Sequence, residues 1–111
     1  MPNKSASAFP AGKYQHGDTV IAFNADGTYL GTTVSGHDWV KGTYANNGSR
    51  FTVTDTWESD DLVSSMGKSC LGMKGRYDWV VTGSVMTASV VDDPCDGRKA
   101  GTDGVAWTRM E

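Results

Sequence analysis

At 111 residues, the chain suffices for one domain and is too short for two. Its 38% of hydrophobic residues, four tryptophans and four tyrosines among the aromatics, can bury a core in which rings supply much of the volume. A net charge of −3 argues against nucleic acid as a partner, since a phosphate backbone demands a basic face, and no apolar run approaches the length of about eighteen residues that a membrane span needs.

In chain order, residues 1–9 are small and polar and read as a flexible tail ahead of one domain over 10–111. Alternation with period two, punctuated by Gly, Asn and Asp, then recurs along nearly the whole chain. It predicts strands near Lys13–Gln15, Thr19–Phe23, Thr28–Val34, Asp38–Tyr44, Arg50–Thr56, Gly75–Val81, Val85–Val91 and Val105–Met110. Helical signal is confined to Ser59–Ser65, where Ser59 can cap and Leu62, Val63 and Met66 can face inward.

The connections alternate in length. Asn24–Gly27, Asn46–Gly48 and Thr82–Ser84 are tight hairpin turns rich in residues that tolerate positive φ. In an up-and-down meander they lie at one end, while Ser35–His37, Trp57–Lys74 and Asp92–Gly104 fall at the other. The fold class predicted is therefore all-β, a single antiparallel barrel of about eight strands with a closed base and a loop-rich mouth. An immunoglobulin-type sandwich would place its second cysteine much further along, and an OB-fold needs fewer strands and a basic or aromatic binding face.

Cys70 and Cys95 are the two cysteines of the chain and both fall in mouth loops beside neighbouring strands. Against the alternative of two free structural thiols, a bridge is geometrically natural. It would close a loop of about twenty-five residues and stabilise by roughly 3–4 kcal/mol through chain entropy. Such a bridge implies an oxidising, extracytoplasmic or secreted setting.

Several short motifs resemble the calycin group, which includes lipocalins, fatty-acid-binding proteins and avidins. Gly12-Lys13-Tyr14 stands where a lipocalin has Gly-x-Trp on its first strand, with Tyr14 as a departure. Trp107-Thr108-Arg109 matches a last strand whose basic residue packs over that first aromatic. Phe23–Tyr29, Lys41–Tyr44 and Asp92–Arg98 resemble stretches of bacterial lipocalin-like domains. The resemblance implies a carrier or binder of a small molecule; no avidin-type biotin site is matched.

On strand 5, alternation turns Phe51, Val53 and Asp55 to one face and Thr52, Thr54 and Thr56 to the other, which puts Asp55 inside near the mouth. A buried carboxylate needs a partner, and Arg98 in the last mouth loop is the candidate. The pair reads as a structural bridge or as an anchor for a polar ligand head. The expected lining for a small apolar or amphipathic ligand is Phe23, Tyr44, Phe51, Tyr77, Trp79 and Met86, with Asp55 and Arg98 as polar anchors. Gly31, Gly42 and Ala88 would leave room opposite, and the loops around His37, Met66 and Met73 would gate the mouth.

The alternative function is a barrel enzyme, a cyclase, isomerase or hydratase, with Asp55, Tyr77 or His37 as acid or base. No cofactor is implied. His16 and His37 without a third spaced ligand make no zinc site, and the loop acids Asp92, Asp93, Asp96 and Asp103 lack EF-hand spacing.

Overall fold

A computed structural model describes residues 11–110; the expected tail over 1–9 lies outside the described residues. The strands are β1 (Gly12–His16), β2 (Thr19–Phe23), β3 (Thr28–Thr33), β4 (Asp38–Asn47), β5 (Arg50–Glu58), β6 (Lys74–Thr82), β7 (Val85–Asp92) and β8 (Ala106–Arg109). Each pairs antiparallel with the next, and β8 returns to β1 through Tyr14 opposite Arg109, closing an eight-stranded barrel. The three tight turns share the base, where Gly27, Gly48 and Gly83 supply the positive φ. Every longer connection, with two short helices, crowns the mouth.

The first helix, α1 (Asp60–Met66), begins where the sequence predicts it. Ser59 Oγ accepts a hydrogen bond from the Leu62 amide at 3.1 Å, and Gly67 closes the helix in the left-handed conformation. The second, α2 (Asp96–Thr102), is a correction, because that stretch read as loop. Two glycines in seven residues give it poor intrinsic propensity. It is held by its contacts instead: Cys95, the residue before it, is bridged to Cys70 with Cα atoms 5.7 Å apart, and Arg98 is tied beneath it.

Three irregularities interrupt the register, one of them between Gly31 and Thr32, and the other two reset which acids face inward. Register shifts between Lys41 and Gly42, so that Trp57 pairs with Lys41 while Asp55 pairs with Gly42. Thr56 is the extra residue of this bulge. Simple alternation would bury Trp57; instead it stands outside, 41% exposed, with the Lys41 ammonium 5.3 Å from its ring centroid, and Glu58 turns in. A second shift between Arg76 and Tyr77 leaves Val91 unpaired, sends Asp92 outward onto Arg76 at 2.9 Å, and buries Asp93. Both bulges thus deliver an acid into the mouth half of the barrel.

The base is filled with rings. Phe23 meets Tyr14, Tyr44 and Phe51 edge-on at centroid distances of 6.2, 5.2 and 6.3 Å, arrangements that aromatic quadrupoles favour. Arg109 covers Tyr14, its Nη1 donating to the phenol oxygen at 3.1 Å, as the last-strand motif predicts.

Candidate functional site

Above this aromatic floor the barrel is hollow. A cavity of about 280 Å³ lies between the walls and the two mouth helices. Ile21, Val53, Met86, Ala88 and Trp107 form its apolar sides, Leu62 and Met66 of α1 lean over it, and His16 and Trp39 stand at its rim. Phe23, Phe51 and Tyr77 close it from below. Phe51 and Tyr77 are stacked with ring centroids 5.8 Å apart.

One polar constellation faces this space. Arg98 donates from Nε to Asp93 Oδ2 and from Nη2 to Asp93 Oδ1, both at 2.8 Å, a bidentate fork that also reaches the Met73 carbonyl at 3.0 Å. Its remaining arm, Nη1, stands 3.4 Å from Asp55 Oδ1. That distance gives ion-pair attraction, yet Nη1 makes no aligned hydrogen bond among the described residues. Tyr29 donates its phenol proton to Asp55, and Tyr77 donates its own to Asp93. Tyr29–Asp55–Arg98–Asp93–Tyr77 therefore form a continuous buried chain from β3 across β5 and α2 to β6.

Burial pushes the Asp55 carboxyl above the usual carboxylate range; the Tyr29 hydrogen bond and Arg98 pull it back without overcoming that push, and Glu58 adds to it. Burial acts the same way on Asp93, but hydrogen bonds from Arg98, Tyr77 and the Cys95 amide outweigh it, and Asp93 ends below its ordinary value. Both tyrosines are raised, by burial first and then by the carboxylates they serve. The guanidinium keeps its proton, because Asp93 and Asp55 more than offset the burial that would favour losing it.

The chain's local features make this packing possible. A Cβ on Gly42 would strike the Tyr29 phenol and the Thr54 carbonyl, so the ring can cross β4 to Asp55 only over bare backbone. A Cβ on Gly75 would lie 2.6 Å from Asp93 Oδ2. Glu58, the other acid turned inward, caps the disulfide loop, accepting from the Cys70 amide at 3.0 Å and the Ser69 hydroxyl at 2.7 Å.

Of the residues singled out in sequence, Phe23, Phe51, Asp55, Tyr77, Met86 and Arg98 are brought together around the cavity. Tyr44 and Trp79 are placed elsewhere. Tyr44 donates to the Asn24 carbonyl at 2.6 Å at the base, and Trp79 Nε1 donates to Asn46 Oδ1 at 3.0 Å. His37 lies outside, in an open depression, 3.5 Å from Asp61. Gly31 and Gly42 open no space, since Val40 and Tyr29 occupy it, whereas Ala88 does line the cavity. The loop acids scatter: Asp92 goes to Arg76, Asp93 to Arg98, and Asp103 to the Val90 amide at 2.8 Å.

Sequence reasoning missed Tyr29, Asp93 and Trp107. Alternation on β3 carried a signal for Tyr29, because Tyr29 and Gly31 share one face; Asp93 depends on a bulge that alternation does not encode. Compared with protein-family profiles, curated proteins and solved structures, the chain found no match.

Proposed function

We propose that this chain is a lipocalin-like binding barrel of the calycin type that takes one small, mostly apolar molecule into the mouth half of its interior. The observation that carries this reading is the cavity of about 280 Å³ with mostly apolar walls and a few polar side chains, Asp55 and Arg98 among them, the pattern of a small-molecule site. An eight-stranded barrel either fills or retains such a space, and here aromatic packing stops short of the mouth. Asp55 and Arg98 serve as the anchors for the ligand's polar end. An extracytoplasmic setting belongs to the same proposal, supported by the disulfide, and a bacterial source enters it through the resemblance alone.

Native mass spectrometry of the purified chain tests it. A bound adduct of small-molecule mass is expected, and Ala88→Phe, which puts a ring into the cavity, should abolish it. A bare mass, combined with no uptake of the neutral probe N-phenyl-1-naphthylamine, would overturn the proposal.

One observation favours a barrel enzyme as the second reading. Asp55, with its carboxyl raised by burial, borders the cavity and is suited to proton transfer. The Tyr77 hydroxyl is engaged by Asp93, and His37 stands outside. Conversion of the adduct by the wild type to a species of different chromatographic retention, isomers of equal mass included, and not by folded Asp55→Asn, would select this reading; an unconverted adduct returns to the carrier.

A further inference from the structure

Charge is out of balance at the polar end of the cavity. Three acids are buried in this half of the barrel, Asp55, Glu58 and Asp93, and the guanidinium that meets them is that of Arg98. Asp93 takes Arg98 Nε and Nη2 in its bidentate fork, and Glu58 is turned to the Cys70 amide and the Ser69 hydroxyl. Asp55 is the acid left over. Its Oδ1 accepts the Tyr29 phenol proton and stands 3.4 Å from Arg98 Nη1, while its Oδ2 accepts no hydrogen bond among the described residues. Arg98 Nη1 is also without a hydrogen bond, but it is sealed off. Oδ2 is unpartnered and not sealed: the Asp55 side chain borders the cavity with 5% of its surface still open. A carboxylate with an empty lone pair turned to an apolar space lacks a donor, and burial raises the Asp55 carboxyl accordingly.

We infer that the ligand is a small amphipathic amine, whose ammonium donates to Asp55 Oδ2 while its hydrocarbon body lies between the apolar walls. This deepens the binding reading above and rests on it. An ammonium supplies both things the site lacks, a donor for the open lone pair and a positive charge beside the surplus carboxylate. Moving two ions out of water to pair them is ordinarily costly. Here folding has already stripped Asp55 of its water, so only the amine's own hydration is lost on binding. A neutral hydroxyl would meet the lone pair and leave the charge uncompensated. Ile21, Val53, Met86 and Trp107 enclose the hydrocarbon body, and a cavity of about 280 Å³ suits a single ring on a short chain.

The test compares two probes that share one body, 2-phenylethylamine and 2-phenylethanol, by isothermal titration calorimetry at pH 7. The amine is expected to bind about tenfold more tightly than the alcohol. Asp55→Asn keeps the shape of the side chain and removes its charge; it should weaken the amine about tenfold and move the alcohol by less than about threefold. Ala88→Phe fills the cavity and should abolish binding of both. An amine that binds no better than the alcohol, or that keeps its lead in folded Asp55→Asn, would overturn the inference and leave the binding barrel standing. Amine binding that survives Ala88→Phe would also overturn it, since such binding lies on the acidic outer surface. Failure of both probes to bind, with no uptake of N-phenyl-1-naphthylamine, would remove the binding reading itself. Should Asp55→Asn not fold, the comparison of amine and alcohol in the wild type decides alone.

Discussion

Asp55 and Asp93 lean on the same guanidinium, and their titrations run in opposite directions. Asp93 is held below its ordinary value of 3.8, so its stabilisation is present above that pH and is lost as pH falls through the lowered value. Asp55 is held above 3.8; its neutral form suits the fold, so its contribution is present below that pH and is lost as pH rises through the raised value. Asp55→Asn, neutral throughout, should therefore gain in urea midpoint relative to the wild type as pH rises above 3.8. A midpoint difference that stays flat across that range would refute the raised carboxyl. The same constellation makes Gly42 intolerant of a side chain. Gly42→Ala drives a methyl into the Tyr29 ring and the Thr54 carbonyl, and neither can yield without breaking the Tyr29–Asp55 bond. A loss of about 1–3 kcal/mol is expected in chemical denaturation; a loss within a few tenths would show that β4 can shift freely.

Strands, bulges and helices differ in how far each could be read ahead. The inward faces of β5 and β7 were legible because each turns one face to the barrel interior, and period-two patterning records that directly. The helix α1 was legible through its Ser59 cap and the Leu62–Met66 face. Its neighbour α2 was not, because a run with two glycines carries no helical preference of its own and takes its order from the disulfide and the Arg98 fork. Removing the bridge tests that dependence. With a sequence separation of 25 between the cysteines, Cys70→Ala/Cys95→Ala should cost roughly 3–4 kcal/mol in guanidinium unfolding. Hydrogen exchange should rise first over 96–102, the segment this bridge anchors. Unchanged protection there would mean that Arg98 alone holds the helix.

At the scale of the whole molecule the barrel is built in two halves, a base filled by Tyr14, Phe23, Tyr44 and Phe51 and a mouth where small side chains and short helices leave a cavity. Legible in the residues alone were the up-and-down meander, the end on which the turns and the loops fall, a bridge between Cys70 and Cys95 as the favoured state of the two thiols, and the inward face of Asp55 with Arg98 as its candidate partner. Each of these follows from periodicity, turn chemistry and chain connectivity, which act over a few neighbouring residues or through strand order. Packing across the closed barrel settled the rest: Glu58 and Asp93 turn inward, Tyr29 crosses bare Gly42 to reach Asp55, Trp79 and Tyr44 bond elsewhere, and the interior is hollow near the mouth. Those outcomes depend on where a bulge shifts the register between two strands and on how side-chain volumes from eight strands sum within one enclosed space, neither of which any local stretch of sequence encodes.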